Sequence, residues 1–236
     1  MVRVSVLELP ARWGEPHVAL AEVDRLLASG PTDLVIVPEM AFSGYVSPHG
    51  DFDLSRFGEP LDGPTIHSAR DLAHRHGITL VTPLVLEERG HLYNAAVVVS
   101  PEGVLATYRK RHPWFPEAWA TPGQAVPPLF HVGDVVVTIA ICFDGHFLPD
   151  DGAAVLAEAD LLVFTSAWVD EEESRMPMLR SLARGFEIAV ANANWGPGVV
   201  EVPGQGGSCV LDRRGEVVAR VSPYGGRRAD AVVGRR

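Results

Sequence analysis

The sequence predicts an α/β protein with mixed β-sheets flanked by helices, and two observations lead to this prediction. Apolar runs of strand length alternate along the chain with segments whose apolar residues recur at helical spacing. The middle of the chain instead holds three consecutive strand-like runs joined by tight turns, a pattern typical of antiparallel neighbours. With 236 residues, 47% of them hydrophobic, the chain can bury a sizeable core, so the simplest organisation is a single domain over residues 1–236.

The first third of the chain has the pattern of strand, helix, strand, loop and helix. The elements are a strand at 2–6, a helix at 15–29, a strand at 34–37 and a helix at 64–76 capped by Gly77. Residues 46–63 are rich in Gly, Pro, Asp and Ser, which predicts a surface loop that could act as a lid.

The remaining elements continue the alternation. Strands are predicted at 78–86, 92–99, 104–108 and 135–141, then a helix at 152–159, a strand at 161–165, a helix at 173–186 and a strand at 188–193. Three short strands follow at 207–211, 217–221 and 229–233, the last two joined by a turn at 223–226. The acidic run 170–173 is interpreted as a solvated helix start, which the helix dipole favours.

The composition excludes several classes of partner. With 20 basic and 30 acidic residues, the formal net charge of -10 repels nucleic-acid backbones and anionic membrane surfaces. No apolar run approaches the roughly 18 residues of a spanning helix, and the chain begins with a strand pattern rather than a signal peptide. We therefore expect no nucleic-acid or membrane partner and a cytoplasmic location, where Cys142 and Cys209 need no disulfide.

One apolar run ends abruptly at a thiol. Residues 135–141 are β-branched or small, which predicts a strand buried on both faces, and Cys142 follows at its carboxyl end. Open α/β sheets usually place ligands at that edge, because loops there gather side chains on a rigid frame. Cys142 is therefore a candidate nucleophile, with an inert buried thiol as the alternative.

A cysteine nucleophile needs a base or a cation close to its thiol. Glu39 follows the strand 34–37, where an unpaired carboxylate would be costly unless it had a partner or a task. Lys110 follows the strand 104–108 within a basic cluster. Each has an ordinary alternative, Glu39 as a solvated loop acid and Lys110 as part of a basic surface.

Three separated segments, each at a predicted strand end, carry a family resemblance. Residues 38–45 (PEMAFSGY), 108–112 (YRKRH) and 141–144 (ICFD) look like the acid, lysine and nucleophile motifs of the carbon-nitrogen hydrolase (nitrilase) superfamily, in its amidase-like branch. Segments 180–194 and 206–217 extend the resemblance over nearly the whole chain.

The resemblance implies a four-layer α-β-β-α sandwich and a Glu-Lys-Cys triad without metal or organic cofactor. Glu39 is then the general base, Cys142 the nucleophile and Lys110 the group that stabilises developing charge, with the backbone N–H of Phe143 as second oxyanion donor. Glu117 matches the family's second glutamate, which positions substrate and lysine; a surface loop acid is its alternative. Flanked by two carboxylates, Lys110 stays charged and lowers the pKa of the thiol.

Four side chains are candidates for the walls of a substrate pocket. Tyr45, Trp114 and Trp168 follow predicted strand ends or motifs, with core packing as their alternative. His146 lies in segment 145–150, which lacks the arginine that the family commonly has there and is one residue longer. His146 either replaces that arginine or is solvated.

Other histidines do not predict a metal site. His67, His74 and His76 share a predicted helix, but their separations do not bring ligands together as an i, i+4 pair would. We therefore expect no metal.

The residues and the resemblance together predict a cysteine-dependent hydrolase of non-peptide carbon–nitrogen bonds, an amidase that takes a small aliphatic amide through a thioester acyl-enzyme. The alternatives are an N-carbamoyl hydrolase or nitrilase, an acyltransferase with the same triad, and a non-catalytic binding scaffold. The expected partner is a small-molecule amide substrate. The resemblance also favours a homodimer or higher homo-oligomer, although the C-terminal extension that many relatives use in dimer contacts is expected to be absent.

Overall fold

Two mixed β-sheets pack face to face between two layers of helices. The computed structural model describes residues 1–169, 174–224 and 226–236, and in these residues each sheet has six strands. This arrangement confirms the expected α/β class and the four-layer sandwich. Within the described ranges, no helix combines the length and the apolar character needed to cross a bilayer.

The first sheet is built from both ends of the chain. In spatial order its strands are β12 (Arg228–Val233), β1 (Val2–Leu7), β2 (Leu34–Ile36), β3 (Thr79–Glu88), β4 (His91–Ser100) and β5 (Gly103–Arg109). β1, β2 and β3 run parallel, whereas β12, β4 and β5 pair antiparallel with their neighbours, as expected for the central meander. Helices α1 (Pro16–Leu27) and α2 (Pro64–His76) cover its outer face.

Strand β2 shows how one apolar run fills two cores. Leu34 and Ile36 belong to the core between the sheets, whereas Val35 and Val37 pack with residues of α1 and α2. Successive side chains of a strand point to opposite faces, so a continuous apolar sequence is required where both faces are covered.

The second sheet has the same plan. In spatial order its strands are β11 (Val217–Arg220), β10 (Cys209–Leu211), β9 (Ala189–Asn194), β8 (Leu161–Ser166), β7 (Val135–Ile141) and β6 (Leu129–Val132). β7, β8 and β9 are parallel, and the outer strands are antiparallel. Helices α3 (Leu148–Asp151), α4 (Ala153–Glu158) and α5 (Arg175–Phe186) lie between these strands in the chain, and buried residues of α4 and α5 join the core of this sheet.

Some segments differ from the sequence prediction. Strand β6 is not predicted, because an edge strand that buries only Phe130 and Val132 gives a weak apolar signal. The expected loop at 145–150 is helical, since a 3₁₀-helix (Cys142–His146) leads directly into α3. The expected loop 46–63 contains a 3₁₀-helix at Ser55–Phe57 and is tied to the first sheet by a hydrogen bond from Glu59 N to Val85 O, 3.1 Å. Residues 170–173, the expected start of the 173–186 helix, and Gly225 in the 223–226 turn lie outside the described residues.

The strand directions bring the candidate residues to one edge of the sandwich. β7 and β8 are parallel, so Cys142 and Ala167 follow them at the same edge. In the first sheet β4 is antiparallel to both β3 and β5, so Lys110 after β5 and Glu39 after β2 also share an edge. The two sheets therefore contribute different members of one site.

Candidate active site

The ammonium group of Lys110 is enclosed between two carboxylates. Its Nζ lies 2.7 Å from Oε1 of Glu39 and 2.8 Å from Oε1 of Glu117. The side chains of Lys110 and Glu39 are 0% exposed and that of Glu117 is 2% exposed. The alternatives that treat these three residues as solvated surface charges are therefore wrong.

The charges of this cluster depend on one another. Burial alone would lower the pKa of Lys110, but Glu39 and Glu117 outweigh it, and the pKa of the lysine is raised. Burial raises the pKa of Glu117 to about 7, with Lys110 opposing the rise and Glu39 adding to it. One ammonium between two carboxylates leaves an excess negative charge, and a proton on Glu117 removes it.

Asn94 is a member of the cluster that sequence reasoning missed. Its Nδ2 donates to Oε1 of Glu39 at 2.8 Å and to Oε1 of Glu117 at 3.2 Å, and its backbone carbonyl accepts from the backbone N–H of Lys110 at 2.8 Å. Its own Oδ1 is buried without a hydrogen-bond partner in the described part of the chain. The available signal was an asparagine within the apolar run of β4, because a buried amide needs partners.

Two further donors fix Glu117. The hydroxyl of Tyr45 donates to Oε1 at 2.9 Å, and the backbone N–H of Trp114 donates to Oε2 at 3.1 Å. Burial, then the charges of Glu39 and Glu117, hold the pKa of Tyr45 well above its ordinary value, so the phenol remains a donor. Glu117 is thus held by groups from separate segments and cannot swing away from Lys110 without breaking several hydrogen bonds.

Cys142 follows β7 in a left-handed backbone conformation, with φ at 46°. Met40, the residue after Glu39, is also left-handed, with φ at 53°. Such conformations cost non-glycine residues on the order of 1–3 kcal/mol each and are retained only where the surroundings impose them. The N–H of Phe143 lies in the first turn of the following 3₁₀-helix, where N–H groups have no acceptor within the helix.

Asp144 ties the turn after Cys142 to the segment that carries Lys110. Its Oδ1 accepts from the N–H of His112 at 2.9 Å, and its Oδ2 accepts from the hydroxyl of Tyr108 at 2.9 Å. Because Tyr108 and His112 flank Lys110 in sequence, this carboxylate fixes the nucleophile turn relative to the ammonium.

Glu39 and Cys142 meet at the end of β8. The N–H of Ala167 donates to Oε2 of Glu39 at 3.0 Å, and the same N–H favours the thiolate of Cys142. Burial raises the pKa of Cys142 well above its ordinary value, Glu39 adds to the rise, and Lys110 opposes it. The lysine acts in the expected direction, but the expected lowering of the thiol pKa is outweighed. The resting thiol is therefore protonated, so a nucleophilic role for Cys142 would require a base to accept its proton.

A cavity of about 160 Å³ opens beside the thiol. It is lined by Tyr45, Trp114, Cys142, Phe143, His146, Ala167, Trp168, Val169 and Ser174. The rings of Tyr45 and Trp114 stack with centroids 6.5 Å apart, and His146, which is exposed, lies 5.4 Å from the ring of Trp168. The structure thus brings every candidate residue to one place, while the individual roles stay predictions.

The backbone of Trp168 is fixed by the end of β9. Its N–H donates to Oδ1 of Asn194 at 2.9 Å, and its carbonyl accepts from Nε1 of Trp195 at 3.1 Å. In the sequence, Asn194 ends a segment that carries the family resemblance, and Trp195 has no distinguishing signal.

Among the described residues, no group of three or more His, Cys, Asp or Glu side chains is arranged to hold a metal ion.

The family model described as carbon-nitrogen hydrolase matches residues 7–226 of this chain. The chain belongs to the carbon-nitrogen hydrolase family. The matched segment contains all the candidate residues named above. Family membership supports an enzyme that hydrolyses carbon–nitrogen bonds.

Two relatives illustrate the range of the family. An (R)-stereoselective amidase of Pseudomonas sp. is 28% identical over 172 residues, which cover 72% of this chain and 61% of that relative. A nitrilase of Pyrococcus abyssi is 26% identical over 186 residues, which cover 77% of this chain and 71% of the relative. The match therefore spans less than two thirds of the length of the Pseudomonas amidase.

Solved structures share the fold at low sequence identity. An amidase of Nesterenkonia sp., in a mutant form that shows Michael addition of acrylamide at its active-site cysteine, superposes with a TM-score of 0.86 at 24% identity. The superposition covers 99% of this chain and 94% of that one. It shows that the sandwich of this chain is the fold of that amidase.

Proposed function

We propose that the chain is a cysteine-dependent amidase that hydrolyses small aliphatic amides through a thioester acyl-enzyme. The observation that carries the proposal is the buried cluster of Glu39, Lys110 and Glu117 beside the thiol of Cys142. Buried charges are costly, and replacing them by apolar residues is often neutral or stabilising, so their presence at a cavity favours a chemical task. The cavity of about 160 Å³ is below the roughly 300–1,000 Å³ typical of ligand sites, which favours a small substrate.

In the acylation step, Oε2 or Oε1 of Glu39 accepts the thiol proton while Sγ of Cys142 attacks the amide carbon. The carbonyl oxygen becomes an oxyanion, and Nζ of Lys110 and the N–H of Phe143 donate to it. Collapse of the tetrahedral intermediate breaks the carbon–nitrogen bond. The proton held by Glu39 passes to the leaving nitrogen, so ammonia or an amine departs and a thioester remains.

In the deacylation step, Glu39 accepts a proton from water as the water oxygen attacks the thioester carbon. The second tetrahedral intermediate uses the same two donors, and its collapse releases a carboxylic acid and returns the proton to Cys142. Glu117 takes no proton from the substrate in this scheme. Its contribution is to hold Lys110 and to set the charge of the cluster.

The same residues could serve other acyl chemistry. An N-carbamoyl compound or a nitrile presents a carbon that Cys142 can attack in the same way, and an amine or thiol in place of water would make the protein an acyltransferase. A non-catalytic scaffold is disfavoured because a scaffold has no need to keep Glu39, Lys110 and Cys142 together.

The deciding experiment measures ammonia release across a panel of small amides, nitriles and N-carbamoyl amino acids, with Cys142→Ala as control. Intact-mass spectrometry after rapid acid quench should show an adduct equal to the acyl group of the substrate. Turnover of the amides that is lost in Cys142→Ala supports the proposal. Absence of both turnover and adduct across the panel would instead favour the scaffold.

We also propose that the chain acts as a single domain, in a homodimer or higher homo-oligomer located in the cytoplasm. Light scattering coupled to gel filtration should give a mass of at least two chains. A monomer at assay concentration would contradict the oligomeric part and leave the chemistry unaffected.

A further inference from the structure

Arg175, the first residue of α5, is a buried cation that has no ion-pair partner among residues 1–169, 174–224 and 226–236. It is 7% exposed, and only its Nη2 has a hydrogen bond, to the carbonyl of Gly206 at 2.8 Å. Its Nε and Nη1 are buried without an acceptor in the described part of the chain. Burial lowers the pKa of Arg175, which shows that the charge is held here at a cost. A guanidinium in this state lacks the anion that such a group ordinarily binds.

A second arginine points at the same space. A Cβ atom at Gly207 would lie 3.0 Å from Nη2 of Arg175 and 3.0 Å from Nη2 of Arg220, so the two guanidinium groups converge where this residue has no side chain. The charge of Glu8 raises the pKa of Arg175, which opposes the effect of burial. The Oε2 atom of Glu8 accepts from the N–H of Ser208 at 3.1 Å, and among the described residues Glu8 makes no ion pair with either arginine. Two like charges converge, and no acid of the described chain forms an ion pair with either of them.

The space between these arginines is a cavity of about 100 Å³ that adjoins the candidate active site. Arg175, Arg220 and residues 204–207 line it, and Trp168 lines both this cavity and the one at Cys142. The residue before Arg175 already belongs to the wall of the catalytic cavity. An anion between the arginines would therefore be separated from the cavity at Cys142 by the side chain of Trp168.

We propose that Arg175 and Arg220 bind the remote carboxylate of the substrate, so that the preferred substrates are half-amides of dicarboxylic acids whose amide end reaches Cys142. A carboxylate matches the fork of donors on a guanidinium, and two converging guanidinium groups can hold both of its oxygens. The Nε and Nη1 atoms of Arg175 then gain the acceptors that they lack. This inference rests on the proposed amidase function, because it names the substrate class of that same site.

The kinetic test compares amides that differ only in the remote group. Succinamate is paired with butyramide and glutaramate with valeramide, and kcat/KM is measured for each. We expect the acid of each pair to be preferred at least tenfold, since a charge-assisted pair is worth about that much or more. Arg175→Gln should remove most of this preference, chiefly through KM, and Arg175→Lys should retain part of it. Arg220→Gln, at an exposed position, should lower the preference without disturbing the core.

The matched control is Arg180→Gln, because Arg180 is exposed on the same helix and lies outside both cavities. Arg180→Gln should leave the ratio of kcat/KM between the acid and the neutral amide of each pair unchanged. Equal turnover of acid and neutral amides in the wild type would overturn the inference, as would an equal loss for both in Arg175→Gln and Arg220→Gln. Circular dichroism melting identifies a variant that has merely unfolded.

A binding test separates this inference from the proposed function. Succinamate, butyramide and inorganic phosphate are titrated calorimetrically into Cys142→Ala, with and without Arg175→Gln. Tighter binding of succinamate that needs Arg175, and that phosphate competes away, supports the carboxylate site even if no amide is turned over. Phosphate binding that leaves succinamate binding unchanged would mean that the arginines hold a free anion, and the substrate assignment would be wrong. Turnover of neutral amides without any carboxylate effect would overturn the inference alone.

Discussion

Nζ of Lys110 lies 2.7 Å from Oε1 of Glu39, and neither side chain is exposed to solvent. The two groups belong to loops after different strands of the first sheet, and their contact fixes the acceptor and the cation relative to each other. Because the thiol of Cys142 is protonated at rest, the proposed mechanism requires a base and a cation held at a fixed separation, and this contact provides both.

Glu39→Gln should lower turnover by about 10²-fold or more, because the amide keeps the shape but cannot accept the thiol proton. Its carbonyl can still accept from the N–H of Ala167, so the fold should survive. Steady-state amide hydrolysis and circular dichroism measure the two effects. Glu158→Gln, at an exposed helix position, is the control for carboxylate loss as such. Turnover close to wild type would make Glu39 a structural residue.

Replacement of Lys110 tests whether a confined ammonium is needed. Lys110→Ala should cost on the order of 10² to 10³ in rate, by comparison with loss of one oxyanion donor. It also leaves Glu39 and Glu117 without their buried counter-charge, which typically destabilises a fold by about 3–5 kcal/mol, so the folded fraction must be measured. Lys110→Arg should not restore the rate, since the guanidinium group of arginine is larger than an ammonium group and planar. A Lys110→Arg rate above about a tenth of wild type, under roughly 1.4 kcal/mol of lost activation free energy, would contradict this role.

Asn94 is expected to be a positioning residue. Asn94→Ala removes the only side-chain amide that donates to both Glu39 and Glu117 among the described residues, while Lys110 still donates to both Oε1 atoms. Loss of a hydrogen bond to a charged group typically costs about 1.5–3 kcal/mol. We expect a lower kcat and a shifted pH profile of kcat/KM, because the two buried carboxyl groups lose a donor that they share. Asn94→Asp, which adds a third carboxylate beside Lys110, should shift the profile further. A fall in stability with an unchanged pH profile would indicate a purely structural role.

The pKa of Glu117 predicts how stability depends on pH. Burial raises this pKa from 4.5 to about 7 in the folded chain, so the folded state holds the proton more tightly than the unfolded state. The stabilisation from this group is complete below 4.5 and is lost as the pH rises through about 7. Relative to Glu117→Gln, which cannot titrate there, the wild type should lose at most about 3 kcal/mol over that range.

Urea denaturation of the wild type and Glu117→Gln at several pH values between about 4.5 and 8 measures this difference. The glutamine variant is its own control, because every other titrating group is shared. Curves that remain parallel across the range would show that Glu117 does not titrate there.

Iodoacetamide should label Cys142 and leave Cys209 unmodified in the folded chain. Burial raises the pKa of both thiols, so we expect the difference in labelling to depend on how readily the reagent reaches each sulfur. Cys142 lines a cavity beside a base, whereas Cys209 is fully buried with its Sγ 3.8 Å from the sulfur of Met176. Peptide mapping after brief labelling gives the site, and labelling in urea gives the two-thiol reference. Preferential labelling of Cys209 would reverse the assignment.

The sequence could predict those parts of the fold that repeat along a local period. The runs at 34–37 and 135–141 alternate between two apolar cores, and the strand ends that they define place Glu39 and Cys142 correctly at one edge. Proline at the first turn of α2 and Gly77 at its end mark that helix equally well.

What escaped prediction depends on contacts between distant segments. Asn94 interrupts an apolar strand, and only the approach of Glu39 and Glu117 explains it. The net pKa of Cys142 depends on how completely the site is buried, which no spacing reveals. Arg175 is an ordinary residue at a helix start in the sequence, and only the structure shows that its Nε and Nη1 have no acceptor among the described residues.

The pairing of β12 with β1 determines the stage of synthesis at which the first sheet can be completed. The hydroxyl of Ser5 donates to Asp230 across 225 positions of sequence, so the first sheet gains β12 only after residues 228–233 have been synthesised. Closing so long a loop is slow, and until then one backbone edge of β1 is free to pair with another chain. A polypeptide emerging from the ribosome would therefore carry Glu39 and Cys142 long before the first sheet is complete. Incomplete chains with an unpaired β1 edge are expected to aggregate more readily than chains in which β12 has paired.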